Sequence, residues 1–585
     1  MIDAIPAHAV NGLPGMPNDL VPEDLDRSAR ALAHFRERWV VGLCRSAAAF
    51  IGARAWAFFG FARVGDYARE RLGRSGRWLR DLGALGREIE RAPRLAAALS
   101  GADRGSPLGR VAALLIARGA PPGELERWIA LARSVSVREL RQRLHADAVA
   151  SVHQADPRVE VRVVVPAAVA AAFDETLELF RAVCGHEASV EEFAEALAAE
   201  AGAAGCTWPP ATRSTALDAG FDRPRWEGGM ERLPTPPAVE PLLRRASILE
   251  REAGRGGPAE LGRQLRAWVE LEDAIDRRLG AVLSALGARR DRVEYSRLGH
   301  YAEERLGMGR TAAEDRARLA RSLQAHPRLR CAYEGGSLGL EATLLVRRVL
   351  GAKPSDPALE AAWVERAEQA TVRRLRDEIR LERQRAVLAQ FGTAERAVQP
   401  PPADAEWYAS LRREPGTSTT RLHELTATLD VGAAPDVILR WRLERGIAAA
   451  FAGAIEAARR EAARLLARRV PSWVGLLRLL EEFVATWDQD GRRRSRAERI
   501  YRRAGWRCEA PGCTSRAHLE DHHVLYRSRG GDDALENRIC LCRFHHQRGE
   551  HGGLAACTGR APLGLLWRLG AAPVAVWYRN DRYVS

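Results

Sequence analysis

The sequence predicts a mainly α-helical chain: two related helical domains, each with one short strand, followed by a small cysteine- and histidine-rich C-terminal module. Three observations carry this reading. Apolar residues recur at three- and four-residue spacing among Arg, Glu and Ala through most of the first 490 positions, as in Leu261–Leu286 and Ile447–Leu466. A series of words in the first half returns in the same order in the second. Five of the nine cysteines (Cys508, Cys513, Cys540, Cys542 and Cys557) fall within the last 80 residues.

The 585 residues are too many for one ordinary core and set a prior of about three or four domains. With 46% apolar and 28% charged residues, and no uncharged apolar run of 18, the chain reads as soluble globular domains without a membrane partner. The longest candidate, Trp39–Phe61, is interrupted by Arg45 and Arg54 and reads as a buried helix pair. The opening segment holds Asp3, Asp19, Glu23, Asp24 and Asp26 with no basic start before an apolar stretch, so the expectation is a cytoplasmic protein. Cys44, Cys184, Cys206 and Cys331 are scattered, and the clustering of the other five suggests a metal site rather than disulfides.

The first domain is expected over 1–206, a Pro/Gly-rich linker over 207–245, the second domain over 246–490 and a basic tail over 491–585. The copies are recognised by Phe61–Gly73 (FARVGDYARERLG) and Tyr295–Gly307 (YSRLGHYAEERLG), 234 residues apart, and Pro93–Leu95 recurs as Pro327–Leu329. Trp128 then matches Trp363, and Ser136–Leu140 matches Thr371–Leu375, at an offset of 235. The alternating segments Val159–Val165 and Val437–Leu443 are 278 apart and read as strands, with Val159, Val161, Val163 and Val165, and Val437, Leu439, Trp441 and Leu443, each sharing one face. The larger offset implies an insertion near 381–420, where Gln399–Pro402 and Pro415–Thr420 read as loop. Nothing in the copies resembles a phosphate loop, a paired-carboxylate site or a nucleophile elbow. Helix pairs in Pro107–His145 and its counterpart could read DNA, and a pseudo-symmetric scaffold that embraces DNA or mediates assembly fits equally well.

The tail concentrates the charge. From Gly491 onward 18 arginines face nine acidic residues, so it holds +9 of the formal +14, in a chain with one lysine, Lys353. A polyanion would dock there. Cys508-Glu-Ala-Pro-Gly-Cys513 places two thiols across a Pro-Gly turn, and Cys542-Arg-Phe-His545 supplies a second close pair. Together Cys508, Cys513, Cys542 and His545 form a Cys3His set suited to tetrahedral structural zinc, with Cys540 as an alternative ligand and Cys557 structural or free.

Between the pairs lie His522-His523, Arg527-Ser-Arg529-Gly530-Gly531 and Asn537, and His545-His546 follow. This string resembles the HNH endonuclease family, and the Cys pairs resemble its zinc-stapled branch, over about 60 residues (499–560). The resemblance implies a ββα-metal finger that hydrolyses DNA phosphodiesters. Such chemistry needs a cation on the phosphate and a base for water, because the diester's own charge repels hydroxide. Carried over, His522 and His546 would bind the catalytic metal (Mg, Mn, Ni or Zn), His523 would be the general base, and Asn537 would brace the loop. The third ligand would be His551 or Glu550. His551 is favoured, although it lies five residues after His546 rather than the four that share a helical face. Arg527 and Arg529, aimed to one side by strand alternation, would face the phosphate. Arg493, Arg494, Arg496, Arg499, Arg502, Arg503, Arg543 and Arg548 would track the nucleic-acid backbone. Two other readings stand beside this one: a non-catalytic zinc finger that binds DNA or scaffolds, and an RNA-directed nuclease.

Overall fold

The computed structural model describes residues 22–584 except 38, 104, 106, 122, 152–158, 204–239, 289–294, 296, 352, 390–399, 401–417, 428, 434, 436 and 488–495. Most of the expected linker and insertion therefore lie outside the described residues. The architecture is mostly helical with small antiparallel sheets. No described helix is long and apolar enough to cross a membrane.

Local chemistry explains the matched helices. Val64–Leu72 and Leu298–Leu306 both end on glycines in the left-handed region, Gly73 (φ 59°) and Gly307 (φ 61°), where a side chain would be strained. Pro93–Ser100 and Pro327–Glu334 both begin with proline, whose missing N–H costs nothing at a helix start, and the preceding residues Ala92 and His326 have nearly the same dihedrals. Gly76–Arg91 starts on Ser75, whose hydroxyl accepts from the Trp78 N–H at 3.2 Å.

Compact packing does not follow the copy boundaries. One unit comprises 1–154, 224–372 and 570–575, the other 155–223, 373–569 and 576–585, so each takes a part of either copy. Within the first unit the copies exchange equivalent contacts. The Glu304 carboxylate accepts from the Val137 N–H at 2.7 Å, and the Glu70 carboxylate, 234 positions earlier, accepts from the Val372 N–H at 2.7 Å. A Cβ on Gly73 would stand 2.8 Å from Gly339 Cα, and one on Gly307 would stand 2.4 Å from Gly109 Cα. Each copy thus supplies an anion to a helix start of the other, where the backbone N–H groups have no intrahelical acceptor. The apolar core runs through Leu25–Leu144 and Leu242–Ala317, with Trp39, Trp128 and Trp268 fully buried.

The second unit repeats this logic in a sheet. Val159–Val165 (β1) and Val437–Leu443 (β2) pair antiparallel in the register Val159↔Leu443 through Val165↔Val437. Val163, Val165 and Leu443 are buried, and Val161, Leu439 and Trp441 pack partly buried against the same core. That is the face the alternation assigned. Helices Ala167–Cys184 and Val190–Ala203 follow β1, and helices Arg445–Leu465 and Ser472–Trp487 follow β2. Phe173, Phe193, Phe451, Trp473 and Phe483 fill the space between them.

The tail begins with helix Arg496–Arg503, then Leu519–His523 (β3) and Arg538–Cys542 (β4) as an antiparallel hairpin, and the helical turn Phe544–Glu550. Ala555–Thr558 (β5), Leu566–Leu569 (β6), Val576–Arg579 (β7) and Arg582–Tyr583 (β8) form a four-stranded antiparallel sheet that the sequence reading did not anticipate.

Candidate metal centres

The knuckle Cys508–Cys513 closes through the Cys513 N–H donating to the Ala510 carbonyl at 3.1 Å, with Gly512 at φ 68°. Cys542 ends β4 and His545 sits in the turn that follows, so hairpin and knuckle bring all four side chains together. Their ligand atoms lie within 4.8 Å of one another, and all four residues are buried. His545 Nδ1 is 3.5 Å from Cys508 Sγ and 3.3 Å from Cys542 Sγ. The edges of a tetrahedron built from Zn–S and Zn–N bonds are roughly 3.5–3.8 Å, so the set fits a structural metal such as zinc. Burial pushes the Cys508 and Cys513 thiols up, whereas hydrogen bonds from these two hold Cys542 down. Cys540 is buried but stands outside the group of four. Its N–H donates to Glu509 Oε2 at 2.7 Å and its carbonyl accepts from the Glu509 N–H at 2.8 Å.

A second group gathers His522, His546 and His551, with ligand atoms again within 4.8 Å of one another. His522 points into the module from β3, and its buried Nε2 has no hydrogen-bond partner. Burial, and then the imidazoles of His546, His551 and His523, push its pKa down to about 4, so it is neutral and free to donate a lone pair. The five-residue spacing of His546 and His551 is met by local geometry. Phe544–Glu550 is a π-helix, wider than the α-helix expected, and the His551 N–H donates to the His546 carbonyl at 3.2 Å. This brings the two Nε2 atoms to 3.3 Å. Tyr526 stacks on His551 at 5.7 Å between ring centroids. Glu550 stands outside the group. Its carboxyl, pushed up to about 7 by burial, accepts from Tyr526 Oη at 3.4 Å.

His523 alternates to the other face of β3, where its Nε2 lies 2.8 Å from Asp533 Oδ1. Asn537 spans the connecting loop. Its Oδ1 accepts from the Leu525 N–H at 2.8 Å, and its Nδ2 donates to the carbonyls of Leu525 (3.1 Å) and Asp532 (2.7 Å). Gly531 is required here, because a Cβ would stand 1.8 Å from the Leu525 carbonyl oxygen.

Several arginines depart from expectation. Arg527–Arg529 forms a 3-10 turn rather than a strand, so the two side chains diverge: Arg527 grips Asp533 through Nη2 at 2.6 and 2.7 Å, and Arg529 lies over the Tyr526 ring at 5.4 Å. Arg503 does not face outward. Its guanidinium is drawn into the module, donating to the Leu535 carbonyl at 2.7 Å and to the Arg538 carbonyl. Arg499, Arg543 and Arg548 are exposed and Arg502 half-buried. Arg493, Arg494 and the side chain of Arg496 lie outside the described residues.

Four residues that the sequence reading missed support these groups. Glu520 accepts from His546 Nδ1 and so turns Nε2 toward His522 and His551. Its signal was its place two residues before His522, on the same strand face. Asp533 holds His523. Arg373 is buried beneath the knuckle, donating to the carbonyls of Cys508 (2.8 Å), Ala510 (3.2 Å) and Cys513 (2.5 Å), while its second amino group meets both oxygens of Asp581 at 2.5 and 2.6 Å. Burial opposes its charge, yet Asp581 and Asp377 hold it above the ordinary arginine value. Arg373→Met should remove the cation that faces both oxygens of the Asp581 carboxylate and cost about 3–5 kcal/mol. Zinc release to a chromogenic chelator, measured beside thermal unfolding, should become faster; unchanged release would remove Arg373 from the knuckle's support.

No family model matches this chain, and no curated protein or solved structure matches it. The buried Cys3His cluster, compatible with zinc, is therefore characterised by its geometry alone.

Proposed function

We propose that this chain is a metal-dependent endonuclease that hydrolyses DNA phosphodiesters at the HNH-like module. The observation that carries this reading is the convergence of His522, His546 and His551 around a buried, unpartnered His522 Nε2, next to His523 on the opposite face of the same strand. A solely structural finger has no need of a second imidazole cluster.

A divalent ion on the three imidazoles would supply Lewis acidity to the phosphate and to the leaving 3′ oxygen. Imidazole donors suit Zn or Ni better than Mg, which prefers oxygen. His523 takes the proton from the attacking water at Nδ1, because Asp533 accepts from Nε2–H and fixes that tautomer. Asn537 holds the loop that carries Asp533 and the arginine turn. Arg527 and Arg529 add positive potential beside the scissile phosphate, and Arg499, Arg502, Arg543 and Arg548 meet neighbouring phosphates.

Supercoiled plasmid incubated with the full chain and Mg, Mn, Ni or Zn should yield open-circular or linear DNA, and EDTA should prevent it. Retarded plasmid mobility without strand breaks under every metal would favour the non-catalytic finger. Breakage of RNA but not of DNA would favour the RNA-directed alternative.

A further inference from the structure

We propose that the β1–β2 ribbon reads duplex DNA from the major groove, with Arg162, Arg440 and Arg442 reaching base edges around a local two-fold axis. The symmetry is in the register. Arg162 and Arg440, equivalent residues of the two copies 278 positions apart, are direct partners at the centre of the ladder. Glu160↔Arg442 and Val164↔Ile438 flank them on the same face. Each strand runs into a pair of packed helices, Ala167–Cys184 with Val190–Ala203 and Arg445–Leu465 with Ser472–Trp487, so within the second unit the sheet and these four helices form a two-fold arrangement from one chain.

One face of the ribbon is committed to the core and the other is open. Glu160, Arg162, Val164, Ile438, Arg440 and Arg442 are all exposed, including Val164 at 44% and Ile438 at 48%. A two-stranded ribbon is narrow enough to enter the major groove, about 12 Å wide in B-DNA. The residue types on the open face suit what that groove offers. Arginine pairs with guanine O6 and N7, a carboxylate accepts from cytosine N4, and small apolar groups meet the thymine methyl. Three arginines against one glutamate give a net positive face that matches a polyanion.

The fold gains nothing from the central pair of this ladder. Like charges placed directly opposite, as at Arg162↔Arg440, destabilise a ladder. Glu160 relieves only part of it, through its ion pair with Arg162. The helix that continues β1, Ala167–Cys184, carries Glu178, which takes Arg516 of the C-terminal module at 2.6 Å. A register fixed by the ribbon would therefore be passed to that module within the same unit.

Binding is read without cleavage, so the outcome does not depend on the nuclease reading. The full chain carrying His523→Ala is used to select bound molecules from a random duplex pool. The expected result is enrichment of an approximate inverted repeat, with binding blocked by methylation at guanine N7. In the Arg162→Ala/Arg440→Ala/Arg442→Ala variant the enrichment should vanish and affinity for the selected duplex should fall by roughly 10- to 100-fold. Zinc content and helical circular dichroism check that this variant is folded. Arg478→Ala, a control at an exposed arginine elsewhere in the unit, should change neither result. Selection of the same motif by the triple variant, a motif without inverted symmetry, no duplex preference at all, or tighter binding of single-stranded RNA would each overturn the proposal.

Discussion

Replacing His523 with alanine is expected to slow strand cleavage by about a hundred- to ten-thousand-fold, the range over which a positioned general base contributes. The effect should be chemical rather than structural. His523 alternates away from His522, so its loss removes no member of either metal group, and the β3–β4 ladder is made by backbone atoms. Metal content and thermal unfolding should match the parent. Asp533 would lose one partner but keep Arg527. Cleavage that persists at the parental rate in a fully metallated His523→Ala protein would assign the base elsewhere and leave Asp533 without the role given to it.

The second large effect is expected at Cys542→Ser. Cys542 ends β4 two residues before the π-helix that carries His546, and its Sγ lies 3.3 Å from His545 Nδ1 within that helix, so it ties the hairpin to the turn. Structural zinc contributes about 10–16 kcal/mol of apparent binding energy in small fingers, as much as the whole stability of an ordinary domain at about 5–15 kcal/mol. A serine hydroxyl is a poor substitute for thiolate. The variant should lose its zinc and become susceptible to proteolysis across 508–558, and the His522–His546–His551 group should disperse with it. The helical core of the first unit contains none of these ligands and should retain its circular dichroism. Full zinc occupancy and protease resistance in this variant would contradict the ligand assignment.

What could be read from the sequence was local. The alternation in Val159–Val165 and Val437–Leu443 identified the buried faces, because a strand's period of two is indifferent to its partner. That these two strands pair with one another, 278 positions apart, is a tertiary fact outside the reach of periodicity. The Cys508, Cys513, Cys542 and His545 set was legible because short chelating pairs keep their spacing in any fold that brings them together. His551 was the exception that α-helical spacing disfavoured, and the wider π-turn removes the difficulty.

Other features failed for physical reasons. Arg503 reads as a backbone anchor among its basic neighbours, but its guanidinium is taken up inside the module by the carbonyls of Leu535 and Arg538 and by Glu509. Arg527 and Arg529 diverge because the chain turns before Gly530 instead of staying extended. Strands β5 to β8 are two to four residues long, too short to establish a period. Arg373 and Asp581, 208 positions apart, announce nothing in sequence and meet through tertiary structure alone.

His522, His546 and His551 are proposed to hold the metal on which cleavage depends. The most direct test of this assignment is the single-turnover cleavage rate of a plasmid as a function of added Mn, Ni or Zn, in the parent and in His546→Ala, with zinc at Cys508, Cys513, Cys542 and His545 confirmed in both. A saturable rise is expected in the parent, and in His546→Ala a curve displaced to much higher metal concentration or abolished. A parent that never cleaves, or a His546→Ala protein with the parental curve, would contradict the assignment.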